Sequence, residues 1–204
     1  MISDQVTAGL TALFGPPPET LTTHWGVIAL IAVSQILAID FGYWAVHYAM
    51  HKNPVLWEFH KVHHSAEVLT PLAEYRQHPV EMILFPSTMA VTAGTAYAVI
   101  THIFGKGSPE LGMTAVSVFL ILHLMSFGHL RHAHINIRFT GIFGYLLHSP
   151  AHHHIHHSDN PEHFDRNMGF ILSLWDWMAG TLHLPEKNQK LTLRIGQETR
   201  THDG

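Results

Sequence analysis

Three long stretches without a charged residue constrain the fold of this chain more than any other feature. They run from Leu21 to Ile39, from Met82 to Phe104 and from Leu111 to Leu130. A helix of about 20 apolar residues is long enough to cross a bilayer, and Pro86 is expected to kink the second helix without ending it. The stretches therefore predict an all-α, multi-pass membrane helical bundle. Length alone also allows three buried helices of a soluble all-α protein.

The remaining sequence divides around these three helices. Gly15 and the prolines after it break a short amphipathic stretch, so residues 1–20 are expected to form a segment on the membrane surface. Residues 105–110 are rich in turn-forming residues and predict that helices two and three form an antiparallel hairpin. The tryptophans Trp25, Trp44 and Trp57 fit an interfacial aromatic belt. We expect one membrane domain over residues 21–184 and a polar, solvated tail over residues 185–204.

Composition excludes several kinds of site. The chain contains no cysteine, which rules out disulfides, zinc ribbons, iron–sulfur clusters and cysteine nucleophiles. A formal net charge of −4 argues against nucleic acid as a partner, since nucleic-acid binders normally carry a basic patch. The chain has 21 histidines against 11 lysines and arginines. A bound metal must therefore be held by histidine and carboxylate side chains.

Three short motifs concentrate the histidines. His47 and His51 are four residues apart, which places both imidazoles on one face of a helix. The sequences HKVHH at residues 60–64 and HHIHH at residues 153–157 share the pattern HxxHH, whose three rings also fall on one helical face. Imidazoles at the ends of membrane segments are costly unless they are paired or coordinated, so we predict that the motifs bind metal together. The eight candidate ligands are His47, His51, His60, His63, His64, His153, His156 and His157.

The number of candidate ligands predicts two metal ions. Eight imidazoles exceed what one four- to six-coordinate ion can use, so a dinuclear site is expected. A further group near the end of the third apolar stretch can supply one to three more ligands: His123, His129, His132 and His134. Imidazole suits zinc, copper, iron and nickel alike, so the ligand type does not choose the metal. A zinc peptidase is disfavoured because neither HExxH nor HxxEH occurs.

Other short motifs surround the histidines. DFGYW at residues 40–44 precedes His47, LWEFHKVHHS at 56–65 contains the first HxxHH, and RQHPVE at 76–81 follows it. Ser149-Pro150 leads into the second HxxHH, and NMG at 167–169, LWD at 174–176 and GT at 180–181 come after it. In this combination, from about Asp40 to Thr181, the sequence resembles the fatty acid hydroxylase and sterol desaturase superfamily of histidine-rich integral-membrane di-iron enzymes.

The resemblance implies a chemistry and a fuller ligand set. It adds His132, then His129, with His134 as an alternate because histidine stands there where many members have asparagine. It implies two iron ions that use O2 to hydroxylate or desaturate a C–H bond of a lipid, fatty-acyl or sterol-like substrate. His78 can ligate, support a ligand or cap a helix.

Carboxylates can support the ligand histidines. Asp40 lies seven residues before His47, on about the same helix face, and can accept the ring N–H of a ligand. The other interpretation is a charge at a helix end. Asp165 and Asp176 are candidates for the same role, although Asp176 can equally anchor the structure near Trp175.

The remaining expectations concern electrons and the side of the membrane. No flavin or nicotinamide fingerprint and no haem-attachment motif is present, so electrons must come from an external ferredoxin, cytochrome or reductase. All motifs must face one side to share a site, and the helical hairpin between them satisfies this condition. The positive-inside rule makes that side cytoplasmic, because these basic residues fall on it: Lys52, Lys61, Arg76, Arg131, Arg138 and Arg166. We therefore expect a cytoplasm-facing, histidine-rich helical cap.

Two other classes of function stay open at this point. A metal-transport or metal-storage protein would use the histidines as cargo sites, but transport favours ionisable residues within several crossings, whereas these histidines follow the crossings. A membrane carrier of bis-histidine haem would need only two to four facing histidines and would leave the HxxHH motifs unused.

Overall fold

A computed structural model describes residues 2–18, 25–66, 68–105 and 109–187. Helices joined by loops make up these residues, which contain no strand apart from one isolated bridge between Leu147 and Leu172. The predicted all-α class is therefore confirmed. The start of the first apolar stretch, the middle of the expected linker at 106–108 and the tail from residue 188 lie outside the described residues.

The main helices follow the predicted order. They are α1 (Ile2–Phe14), α2 (Trp25–Lys52), α3 (Pro54–His64), α4 (Pro79–Phe104), α5 (Pro109–His123), α6 (Ile142–Leu146), α7 (Pro150–His156) and α8 (Leu174–Ala179). A π-helical turn at Leu124–Gly128 and a 3-10 turn at His129–His132 continue the chain after α5. Two more 3-10 turns cover Pro71–Tyr75 and Pro161–His163.

Three segments are long and apolar enough to cross a membrane: Trp25–Lys52, Pro79–Phe104 and Gly112–His132. They contain or overlap the three predicted stretches. Pro86 lies inside α4, which continues past it as predicted. The first segment extends beyond the apolar stretch, so that one continuous helix also carries His47 and His51.

Contacts divide the chain into two compact units, Met1–Gly42 with Pro86–His123 and Tyr43–Phe85 with Leu124–Gly204. In the first unit α2 and α4 approach closely at a glycine. A Cβ atom on Gly42 would overlap the side chain of Thr92 and would lie 3.0 Å from the Cα of Met89. The Thr92 hydroxyl donates to the carbonyl oxygen of Ala38 at 2.7 Å. Small residues at such crossings allow membrane helices to pack backbone against backbone.

The second unit contains all the histidine motifs and an unusually polar core. Trp57 belongs to this core: it is 5% exposed, and its ring centroid lies 5.2 Å from His51 and 5.4 Å from His64. It precedes His64 by seven residues on α3, so both side chains share one helix face. The interfacial position expected for Trp57 is therefore wrong, because the face that carries it is turned toward the other histidines.

Candidate metal centre

A tight connection places the first two motifs side by side. α2 ends one residue before Asn53, whose side-chain oxygen accepts the backbone N–H groups of Val55 and Leu56 at 2.9 and 3.2 Å and caps α3. The chain reverses within a few residues as a result. The ring centroids of His51 at the end of α2 and His60 on α3 are 4.9 Å apart.

The last motif lies on α7, which is buried over its whole length. The helix starts at Pro150, and the backbone N–H of Ser149 donates to Nδ1 of His152 at 3.1 Å. The three rings of the HxxHH pattern lie together, with centroids 4.7 to 5.2 Å apart. The prediction that this motif presents three rings together is confirmed.

Nine histidines gather into two groups, each with one ring nitrogen per residue within 4.8 Å of the others. Group A contains His47, His51, His60, His64 and His156. Group B contains His63, His132, His153 and His157. All are buried except His64, which is half-buried. Five and four nitrogens are the numbers that single metal ions use, so the arrangement supports a site for two ions.

Each HxxHH motif is divided between the groups. Its first and last histidines, His60 and His64 or His153 and His157, share one group, and the middle one joins the other. Residues four apart on an α-helix differ by about 40° around the axis, whereas residues three apart are offset by about 60° the other way. One short helix therefore reaches both groups.

The Nε2 atoms of group B converge. Nε2 of His132 lies 3.0 Å from Nε2 of His153, and 3.2 Å from the Nε2 atoms of both His63 and His157. Nε2 of His157 lies 3.1 Å from Nε2 of His153. In group A, Nε2 of His47 and Nε2 of His60 are 3.0 Å apart. In several of these rings the other nitrogen, Nδ1, contacts the surrounding chain.

Backbone carbonyl groups hold three of these rings from outside. The Nδ1 atoms of His47, His156 and His63 donate to the carbonyl oxygens of Met168 at 2.8 Å, Arg166 at 2.8 Å and Arg76 at 3.3 Å. A carbonyl oxygen can only accept, so the proton of each neutral ring must be on Nδ1. Each Nε2 then carries a lone pair that is directed into its group.

Carboxylates hold two further rings, one in each group. Oε2 of Glu81 lies 2.8 Å from Nδ1 of His60, and Oε2 of Glu74 lies 2.7 Å from Nδ1 of His132. Such an outer partner fixes the ring and makes its other nitrogen a stronger ligand. More weakly, Oδ1 of Asp165 is 3.4 Å from Nδ1 of His51, which agrees with the supporting role predicted for this aspartate.

The converging lone pairs are the strongest sign of a metal site. Two Nε2 lone pairs 3.0 Å apart cannot form a hydrogen bond when both protons are on Nδ1. Among the described residues, the buried Nε2 atoms of His64 and His156 have no hydrogen-bond partner. Buried polar atoms are normally satisfied, and a cation at the centre of each group would satisfy all of them. The donor set therefore fits metal ions that prefer imidazole nitrogen.

Burial also keeps these rings neutral. It lowers the pKa of His156 to about 3, against a smaller opposing effect of its hydrogen bond to Arg166. Burial, together with the neighbouring His63 and His132, lowers the pKa of His157 well below its ordinary value. Metal binding requires deprotonated ligands, so the rings are in the binding form at neutral pH.

Asp176 organises the loop that supports His47. Its buried carboxylate accepts the backbone N–H groups of Met168 at 3.0 Å and Gly169 at 2.8 Å, and the Thr181 hydroxyl at 2.6 Å. Met168 in turn offers its carbonyl oxygen to His47. Asp176 is therefore the structural anchor that the sequence offered as one alternative, and through Met168 it supports His47 indirectly.

Nine of the ten histidines predicted as ligands lie in the two groups. The exception is His129, which is half-buried and lies in neither group. His134, the alternate, is exposed. The backbone N–H of His78 donates to Glu81 at 3.0 Å, so this residue stands at a helix start. Asp40 is buried.

Sequence reasoning missed the two glutamates as partners of the ligands. The sequence contains a signal for Glu81, which is the last residue of the RQHPVE element that follows the first HxxHH motif. The sequence contains no such signal for Glu74, because it lies 58 positions before His132 and no local pattern links the two residues. Arg131, expected to serve as a basic residue of the cytoplasmic side, is 1% exposed and pairs with Glu74 at 3.2 Å.

Together these features define an all-helical integral membrane protein with two buried histidine groups suited to metal ions. The family model described as fatty acid hydroxylase matches residues 32–181. The chain belongs to this family.

Curated relatives are similar over most of this chain. A very-long-chain aldehyde decarbonylase from Oryza sativa subsp. indica is 29% identical over 161 residues, which are 76% of this chain and 24% of the relative. An alkylglycerol monooxygenase from Homo sapiens is 26% identical over 174 residues, 83% of this chain and 34% of the relative. An ornithine lipid hydroxylase from Rhizobium tropici is 26% identical over 173 residues, 84% of this chain and 47% of the relative.

The chain thus spans from about a quarter to just under half of the length of these relatives. No solved structure matches it significantly. The names of the relatives do not support the metal-transport alternative.

Proposed function

We propose that this chain is a membrane-bound di-iron oxidoreductase that uses O2 to hydroxylate a C–H bond of a lipid, fatty-acyl or sterol-like substrate. The observation that carries the proposal is the convergence of buried Nε2 lone pairs in two adjacent histidine groups of five and four rings. The names alkylglycerol monooxygenase and ornithine lipid hydroxylase support oxygen insertion into a lipid. Desaturation is the alternative outcome.

Groups A and B would hold one iron ion each, through Nε2. Bound iron would supply the activation of O2 and the oxidation of the C–H bond. The protein keeps four of the ligands in the Nδ1–H form, through backbone carbonyl oxygens at His47 and His156 and through carboxylates at His60 and His132. The buried surroundings exclude water, which protects an oxidising site from side reactions.

The overall reaction needs two electrons. One oxygen atom of O2 enters the new C–O bond, and the other leaves as water after it takes up two electrons and two protons. The chain has no cofactor-binding fingerprint of its own for this purpose. We therefore propose an external ferredoxin, cytochrome or reductase as the donor.

The three apolar helices support a membrane arrangement. We propose that all three cross the membrane within a domain over residues 21–184, and that the histidine groups lie on the cytoplasmic side. Basic residues of the second unit favour this orientation, among them Lys52 and Lys61. Segment 1–20 would lie on the surface, and residues 185–204 would form a polar tail.

The experiment is a metal and product analysis on the full chain, purified in detergent without oxygen. We expect about two iron ions per chain. Incubation with 18O2, a reductant and a panel of alkylglycerols, ornithine lipids and fatty acids is expected to give a lipid that carries one 18O atom, detected by mass spectrometry. A shortened hydrocarbon would instead indicate chemistry like that of the aldehyde decarbonylase relative.

Two results would overturn the proposal. One is the absence of stoichiometric metal after anaerobic purification. The other is a chain that carries two iron ions and a working electron donor but oxidises no lipid of the panel. If zinc occupies the groups, the protein is first reloaded with iron, so that the product analysis always tests the iron form.

A further inference from the structure

We infer that Glu81, Glu74 and Arg131 make the two histidine groups electrically unequal, so that group A binds a divalent cation more tightly than group B. This inference rests on the proposed function in one respect, namely that each group holds a cation. It concerns how the protein distributes charge between the two ions, which ligand count alone does not decide.

Glu81 is the buried carboxylate beside group A. Glu81 is 1% exposed, and its Oε2 holds Nδ1 of His60 at 2.8 Å. Its Oε1 accepts the backbone N–H of His78 at 3.0 Å. Within the described part of the chain, no lysine or arginine pairs with Glu81. No lysine or arginine of these residues offsets the Glu81 carboxylate, so Glu81 strengthens Nε2 of His60 as a ligand and favours a cation in group A.

The carboxylate beside group B is shared with a buried cation. Oε2 of Glu74 holds Nδ1 of His132 at 2.7 Å, and its Oε1 lies 3.2 Å from Nη2 of Arg131. Arg131 is 1% exposed and always charged. Its charge offsets that of Glu74. Glu74 therefore holds His132 much as Glu81 holds His60, but together with Arg131 it forms a nearly neutral pair.

The position of Arg131 is fixed by two aromatic rings. Its guanidinium carbon lies 4.7 Å from the ring centroid of Phe170 and 5.6 Å from that of Tyr43. These two rings are themselves stacked, with centroids 4.7 Å apart. Contacts of this kind between a cation and aromatic faces stabilise the guanidinium in the interior. Its repulsion toward an ion in group B is therefore a permanent feature of the fold.

The numbers of available ligands also favour tighter cation binding in group A. Group A offers five ring nitrogens and group B offers four. Both effects predict that the first cation to bind occupies group A, and that the second binds with lower affinity. Because outer partners of ligand histidines typically change metal affinity by about 10–100-fold, the two binding steps should be at least about tenfold apart.

The experiment is a titration of the metal-free full chain in detergent with Co2+, followed by visible absorption and calorimetry. His64→Ala and His157→Ala assign the steps, because each residue belongs to one group only. Glu81→Gln is expected to weaken the tight step at least about tenfold, and Glu74→Gln to weaken only the other step by a similar factor. Two equal steps in the wild-type chain, or exchanged effects of the two glutamine variants, would overturn the inference.

Arg131→Met separates an electrostatic role from a structural one. Removal of the cation leaves Glu74 to act on His132 with its full charge, so the weak step is expected to tighten about tenfold. Arg131→Lys keeps the charge and should restore the wild-type step. A merely structural role would make both steps weaker in Arg131→Met or leave them unchanged, and either result in a variant of native circular dichroism would contradict the inference. If Arg131→Met does not fold, the two glutamine variants decide.

Failure of this inference and failure of the proposed function are distinguishable. The Co2+ titration uses no substrate, O2 or electron donor. Unequal binding steps with no lipid oxidation would leave the inference standing and remove the proposed function, whereas lipid oxidation with two equal steps would do the reverse.

Discussion

Two histidines of one helix provide the sharpest test of the metal centre. His156 and His154 both lie on α7 and are 4% and 6% exposed, but only His156 belongs to a group of converging nitrogens. His156→Ala is expected to weaken metal binding in group A. His154→Ala removes an equally buried imidazole two residues earlier and is expected to leave both ions in place.

The size of the effect follows from the number of ligands. Four-ligand zinc sites in zinc-finger peptides bind with about 10–16 kcal/mol, so one imidazole contributes about 3 kcal/mol. A loss of this size weakens binding by roughly a hundredfold. The His156→Ala variant removes one ring of group A and none of group B, so the affinity of group A should fall by this factor and that of group B should not change.

The assay is metal analysis of each variant after desalting, combined with circular dichroism and a thermal scan. We expect about two ions per chain in the wild type and in His154→Ala, and fewer in His156→Ala after equal exposure of all three proteins to a competing chelator. Equal metal content in the two variants, when both show native helical content, would refute the assignment of His156 to a metal. Loss of both ions in His154→Ala would refute the division of α7 into a ligand face and a packing face.

Further expectations concern packing, support and pH. Gly42→Ala should lower the thermal midpoint because its methyl group would lie 3.0 Å from the Cα of Met89. Gly26→Ala should not lower it, because Gly26 lies on the same helix with open space around it. Equal midpoints of the two variants in a thermal scan would contradict this expectation. In Asp176→Asn, the N–H group of the new amide faces one of the backbone N–H donors that the carboxylate accepts. The lost hydrogen bond should lower the free energy of unfolding by about 2 kcal/mol and the thermal midpoint by about 4–8 °C. Removal of metal with a chelator should also lower the thermal midpoint, and added Fe2+ should restore it. A midpoint that does not respond to metal would contradict the proposal that histidines of several helices bind it. Burial lowers the pKa of His152 to about 4 in the folded chain, so the unfolded chain takes up this proton at a higher pH than the folded chain does. The free energy of unfolding of the metal-free protein should therefore be highest above about pH 6.5 and fall as the pH drops toward 4. A free energy of unfolding that does not change over this pH range would contradict the burial of this ring.

Local sequence patterns determined the helices and most of the histidines of the centre. A run of uncharged residues predicts a membrane helix regardless of its neighbours, because the backbone must satisfy its hydrogen bonds within the segment. The spacing of His47 and His51 predicts a shared helix face for the same local reason. Both inferences depend only on the 3.6-residue period, so they needed no knowledge of the tertiary fold.

The choice of His132 over His129 was not accessible from spacing. The two histidines begin and end one short turn, and only His132 reaches group B. The chain between Leu124 and His132 is π-helical and then 3-10 rather than α-helical, so the angular positions of its side chains do not follow the α-helical period. A pattern based on that period therefore had no means to rank them.

The sequence by itself determined that this protein is helical, is apolar over three long segments and presents histidines at the spacing of metal ligands. The tertiary structure alone decided which histidines come together in one group, since each HxxHH motif is split between two groups. It also decided that Glu74, distant in sequence, stands behind His132 with Arg131 beside it. Ligand spacing is a property of one helix, whereas the division of charge between two ions depends on where separate helices and loops meet.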